Sequence, residues 1–105
     1  MSQDSLPPVR PVVWTAAARA DLRDIAAYIG QDSPKNAAEM VERLIGAVQI
    51  LGRFPMLYQA SQRFTRVRNA REIPVPPYWI IYTVTDKTVI IVSILHGRQK
   101  FPRKG

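Results

Sequence analysis

Two stretches near the C-terminal end constrain the fold most: Tyr78 to Thr85, YWIIYTVT, and Thr88 to His96, TVIIVSILH. Both are dominated by β-branched and aromatic residues. Only Asp86-Lys87 lies between them, which predicts two strands joined by a tight hairpin turn. Side chains alternate between the two faces of a sheet, yet Ile80-Ile81 and Val89 to Val92 are apolar at consecutive positions. A strand that is apolar on both sides has both faces covered or sits centrally. The rest of the chain must therefore supply at least one packing layer.

The first half supplies it. Thr15 is a good N-cap, and Ala18, Leu22, Ile25, Ala26 and Ile29 follow at the spacing of one helical stripe. Arg19, Arg23 and Asp24 lie off that stripe, with Asp21 at its edge, and the helix stops near Gly30. Ser33-Pro34 then gives a second N-cap with proline at the first helical position. The second helix carries Ala37, Val41, Leu44, Ile45, Val48 and Leu51 on one face and ends near Gly52. So short a connection predicts an antiparallel helical hairpin.

Val9 to Trp14 is β-rich despite Pro11, which predicts an edge strand or one whose pairing starts after the proline. Arg66 to Val75 alternates loosely, with arginines at 66, 68 and 71, and Pro76-Pro77 breaks it. The predicted order is strand, two helices, three strands. That is an α+β fold with one helical hairpin packed on a mostly antiparallel sheet, its other face open in part to a partner.

A length of 105 residues fits one domain. We expect a disordered leader at 1–8, a single domain at 9–98 and a basic tail at 99–105. No apolar run approaches the roughly 20 residues of a membrane span, and the N-terminus lacks a signal-peptide layout. These features predict a soluble cytoplasmic protein without membrane contact. The absence of cysteine removes disulfides and thiolate chemistry, and a single histidine removes any multi-imidazole site. No metal and no cofactor is expected, and the scattered glycines form no phosphate-binding loop.

The strongest global signal is charge. Residues 1–52 hold five basic and six acidic side chains, a balance of −1, whereas residues 53–105 hold ten and two, a balance of +8. Eleven of the fifteen cations are arginine. So basic a half favours an anionic partner: nucleic acid, a nucleic-acid machine or an acidic protein segment.

Few residues suggest chemistry. Asp21/Asp24 and Glu39/Glu42 have helical spacing but read as solvated helix flanks. His96 ends the last strand before Gly97-Arg98, where an imidazole can serve as a general base with Arg98 on a phosphate, or simply bond to backbone. Arg63, Arg66, Arg68, Arg71, Arg98, Lys100, Arg103 and Lys104 lie close in sequence to Tyr78, Trp79, Tyr82 and Phe101. Arginines beside aromatics serve nucleic-acid binding and protein hot spots alike.

These elements resemble the RelE/ParE superfamily of toxins from bacterial type II toxin–antitoxin systems, closest to the ParE branch. The residues that carry the resemblance begin with Val13-Trp14-Thr15, Ala18, Asp21-Leu22, Ile25 to Ile29, Pro34 and Ala37-Ala38. They continue with Leu51, Phe54-Pro55, Arg71-Glu72, Tyr78, Ile81-Tyr82, Val84, Ile94 to Arg98 and Pro102. The resemblance implies a β-α-α-β-β-β fold and a ParD-type antitoxin with a DNA-binding ribbon-helix-helix domain. The antitoxin would lie on the helical hairpin at Leu22, Ile25, Tyr28, Ile29, Val41 and Leu44, with acidic side chains meeting Arg68. A heterotetramer or larger assembly is implied.

The two branches differ in target. ParE-like toxins act against DNA gyrase, whereas RelE-like toxins are ribosome-dependent ribonucleases that use basic residues and a C-terminal tyrosine. Where the ribonucleases place a lysine this chain has Pro74 or a neighbour, Trp79 replaces an arginine, and Phe101 offers no hydroxyl. The resemblance therefore implies a non-enzymatic gyrase inhibitor whose toxic surface comprises Arg71, Trp79, Tyr82, His96, Arg98, Lys100 and Phe101. The alternatives are a ribonuclease using His96 and Arg98, or a non-toxic antitoxin-binding module.

Overall fold

The computed structural model describes residues 9–62, 64 and 66–97. The expected leader at 1–8 and tail at 99–105, with Arg98, lie outside the described residues. A short strand, β1 (Val12–Trp14), leads into helices α1 (Ala16–Gly30) and α2 (Pro34–Gln49). A 3₁₀ turn (Ile50–Gly52) closes α2, and strands β2 (Arg71–Val75), β3 (Tyr78–Val84) and β4 (Val89–His96) follow. They form one sheet in the order β1-β4-β3-β2, so the two strongly apolar strands are central. Neighbours β2, β3 and β4 are antiparallel, whereas β1 runs parallel to β4. This is the α+β order expected from the sequence.

The caps form as the residue types dictate. The Thr15 hydroxyl accepts from the Ala18 N–H and the Ser33 hydroxyl from the Asn36 N–H, both at 3.0 Å. Strand pairing starts after Pro11, whose carbonyl still accepts from the Val89 N–H at 2.9 Å. The chain ahead of β1 crosses the end of α2, where the Arg10 N–H donates to the Gly52 carbonyl at 2.8 Å. A Cβ at position 52 would lie 2.7 Å from the Arg10 carbonyl oxygen, so this crossing requires glycine.

The helical hairpin covers one face of the sheet. Ala18, Leu44, Val48 and Leu51 pack with Ile73, Val75, Tyr78, Ile80, Tyr82, Val89, Ile91 and Ile94 in the main core. Ile45, placed by periodicity on the buried stripe of α2, is instead exposed. The opposite face is covered by the chain itself. Phe64 and Ala70 pack on Ile81 and Leu95, with Val67, Trp79 and Val92 around them.

The strand expected over Arg66 to Val75 is shorter in the structure. Only residues 71–75 are strand, and residues 66–69 form a bend and turn. Asn69 adopts φ 59°, a left-handed backbone that asparagine tolerates better than most residues. This breaks the alternation that would have set Arg66 and Arg68 on one strand face. The preceding segment instead lies along the outer edge of β2: Ala60 bridges Arg71, the Ser61 N–H donates to the Ala70 carbonyl and the Glu72 N–H to the Gln59 carbonyl. At the other edge, the Arg19 guanidinium donates to the Trp14 carbonyl at 2.7 Å. Both sheet edges thus have backbone groups engaged within the chain, as soluble sheets require.

Candidate functional site

The candidate site is the end of the sheet where β4 finishes, beside α1. In the β3–β4 ladder Ile81 faces Ser93 and Tyr82 faces Ile91, which leaves Val92 as the extra residue of a β-bulge. Beyond the bulge, Tyr78 pairs with His96 and Trp79 with Leu95. Paired residues share a face, so His96 and Tyr78 point to the helical side while Trp79 points to the opposite one. Two of the predicted target-binding residues, Trp79 and His96, therefore meet at the sheet end but belong to different faces.

The rings of Tyr78 and His96 pack edge to face, with centroids 5.6 Å apart and planes at 88°. Burial pushes the Tyr78 phenol above its ordinary value, and the neighbouring Tyr28 phenol adds to this. With Asp21, Asp24, Ile25 and Tyr28 of α1, this pair lines an open cleft of about 360 Å³. A second hollow of about 260 Å³ adjoins it beneath Trp79 and Gly97, against the Pro74–Pro77 turn. The Gly97 N–H bonds to the Pro77 carbonyl, and a Cβ at 97 would sit 2.9 Å from that oxygen. Glycine at 97 is what lets the chain leave β4 so close to the turn.

Two site residues expected from the sequence are core residues instead. Tyr82 is fully buried, its hydroxyl donating to the Pro55 carbonyl at 2.8 Å and accepting from the Tyr58 N–H at 3.4 Å. Leu44 is fully buried beneath the helical hairpin, because its stripe faces the sheet and not solvent. Neither offers surface to a partner. Leu22, Ile25, Ile29 and Val41 are half-buried, and Tyr28 is 72% exposed, the exposed large hydrophobic side chain of α1. Arg68 is exposed on the turn before β2. Arg71 is half-buried, and its guanidinium donates to the Tyr58 carbonyl, which ties it to the segment crossing β2. Arg98, Lys100 and Phe101 lie outside the described residues.

Asp21 departs most from expectation. It is not a solvated helix flank: its Oδ2 accepts from the Ser93 hydroxyl and from the Ile94 N–H, both at 2.9 Å. Its position at the edge of the apolar stripe was the only sequence signal. Glu72, unlike half-buried Asp21, is 97% removed from solvent, and its Oε1 accepts from the Ser61 hydroxyl at 2.8 Å. That hydroxyl in turn accepts from the Phe64 N–H at 3.0 Å, so Glu72 anchors the cover of the second sheet face. Ile50, Phe54, Met56 and Leu57 leave an exposed apolar run after α2 that no periodicity announces.

Among the described residues no group of three or more metal-ligating side chains exists, and no helix is long and apolar enough to cross a membrane. The chain's one imidazole stands at the rim of the cleft.

The architecture is shared with solved structures. A chain of the chromosomal ParDE toxin–antitoxin system from P. aeruginosa superimposes with a TM-score of 0.70 at 22% identity, over 86% of this chain and 98% of that one. The fold is therefore the α+β fold of the RelE/ParE-like kind. RelE2, a toxin of Caulobacter vibrioides, is 42% identical over 86 residues, 82% of this chain and 93% of the relative. Y4kP of Sinorhizobium fredii is 36% identical over 92 residues, 86% of this chain and 91% of the relative. Residues 12–101 match the family described as the ParE toxin of type II toxin–antitoxin systems, parDE. The chain belongs to that family.

Proposed function

We propose that this chain is a toxin that acts against DNA gyrase in the cytoplasm by binding, without cutting nucleic acid, and that a ParD-type antitoxin neutralises it. The family match over residues 12–101 carries this reading. The residues at the sheet end support it. Pro74 or a neighbour, and Trp79, stand where the resemblance to RNA-cleaving relatives calls for cations, and Phe101 lacks the hydroxyl of a C-terminal tyrosine. The C-terminal half, with its +8 balance, suits a target that handles DNA, and it equally suits an acidic antitoxin segment.

The antitoxin, a ribbon-helix-helix protein, lies on the helical hairpin, with Tyr28 as its most exposed contact on α1 and Arg68 meeting its acidic residues. Ribbon-helix-helix proteins dimerise, which gives a two-plus-two or larger assembly. The solved ParDE system from P. aeruginosa supports an antitoxin partner by analogy.

A second reading is a ribosome-dependent ribonuclease using His96 and Arg98. The 42% identity to a toxin named RelE2 and the packed His96–Tyr78 pair favour it. Controlled expression separates the two. The gyrase reading expects the DNA-damage response and gyrase-linked chromosome breaks while messages stay intact. Rapid translational arrest with messages cut inside ribosomes, lost in His96→Ala and Arg98→Ala, overturns it. Harmless expression without any antitoxin would leave a binding module only.

A further inference from the structure

Four consecutive residues of β4 are bonded to α1 or its N-cap. The Ile91 carbonyl accepts from the Thr15 N–H and the Val92 carbonyl from the Thr15 hydroxyl, both at 3.1 Å. The Ser93 hydroxyl and the Ile94 N–H both donate to a single Asp21 oxygen at 2.9 Å. These residues span the bulge at Val92. A bulge takes backbone groups off the ladder, and the half-buried Asp21 side chain supplies an acceptor where no strand carbonyl does. Only Leu95, His96 and Gly97 of the described chain lie beyond this clip, and His96 and Gly97 border the two hollows.

Where the end of β4 points is therefore set from α1, not from the sheet alone. We propose that Asp21 is a positioning residue that fixes the target-facing end of β4, His96 and Gly97, against the first helix. The inference rests on the proposed function in one respect, that the end of β4 belongs to the toxic surface. It differs from a purely stabilising role because both bonds converge on one oxygen: the geometry asks for an acceptor at that point and not for a charge. Asparagine can place its carbonyl oxygen there, whereas alanine cannot.

The test compares full-length wild type, Asp21→Asn, Asp21→Ala and Ser93→Ala. Amide hydrogen exchange is read at Ile94 and Gly97 against Ile80 in the centre of β3, and toxicity is read as the inducer dose that halts growth. Loss of the carboxylate oxygen should speed exchange at Ile94 about tenfold or more relative to Ile80. Asp21→Ala should raise the toxic dose by a similar factor, Ser93→Ala should do so less, and Asp21→Asn should restore both readouts. Ser93→Ala keeps the Ile94 bond, so it reports even where Asp21→Ala fails to fold. Full toxicity in Asp21→Ala with Ile94 exposed overturns the proposal, as does Asp21→Asn behaving like Asp21→Ala. A wild type that does not halt growth refutes the proposed function alone, and the exchange contrast then decides the clip.

Discussion

The two faces of the sheet are built by different means. On the helical face, Leu44, Val48 and Leu51 at regular helical spacing meet alternating residues of three strands. On the other face, a thinner cluster of Phe64, Ala70, Ile81 and Leu95 is closed by a segment whose described residues form neither helix nor ladder strand. The first cover is held by apolar area, which stabilises at about 25 cal/mol per Å² buried. The second depends on polar anchors, above all the Ser61 hydroxyl between Glu72 and the Phe64 N–H. One face can therefore fail only with the whole domain, whereas the other can open locally.

Substitutions along both faces test this contrast. Leu44→Ala removes a fully buried side chain from the helical side and should lower global stability by about 3 kcal/mol in urea unfolding. Phe64→Ala should lose less, about 2 kcal/mol, because an irregular segment can settle into the space. Its larger effect should be faster amide exchange confined to residues 59–72. Equal and fully cooperative losses from both would remove the distinction between the faces. Ser61→Ala withdraws a donor from buried Glu72 and an acceptor from Phe64, at a cost of about 1–2 kcal/mol.

Tyr82 sharpens the comparison, because it belongs to the helical-side core yet its hydroxyl bonds to Pro55 and Tyr58 of the segment after α2. Tyr82→Phe should cost about 1 kcal/mol. Desolvation raises the Tyr82 phenol above 10.0, against the lowering effects of its Tyr58 bond and Arg71, and burial raises Tyr78 as well. The folded chain thus keeps protons that the unfolded chain releases. The stability they contribute is fully present below pH 10 and is lost as pH climbs through the folded values. Tyr82→Phe should make the alkaline decline of stability shallower, read by urea titration from pH 9 upward. The smallest effect belongs to Lys35→Ala: its 3.9 Å pair with Glu39 lies on exposed α2 surface, and unfolding curves should not move measurably.

The same division explains what could be read from residues alone. Thr15, Ser33 and Pro34 announce helix starts because capping is local, and the Asp86-Lys87 hairpin is legible from its two flanking runs. The parallel pairing of β1 with β4 is not legible, since it depends on how the helical hairpin returns the chain. Arg66 and Arg68 mislead because loose alternation in an arginine-rich stretch looks like a strand, and the left-handed Asn69 that breaks it carries no periodic signal. Leu44 and Tyr82 read as surface residues because residue type does not report which face is closed by the chain itself. Asp21 was read as solvated because its partners, Ser93 and Ile94, lie more than seventy positions away.

The central functional claim concerns what the sheet end does to its target. Purified chain, freed from its antitoxin, should be added in parallel to gyrase with plasmid and to a reconstituted translation reaction. The account predicts loss of supercoiling with accumulation of cleaved plasmid bound to gyrase, while translated message stays full length. Unchanged supercoiling together with message cut at ribosomes would contradict it.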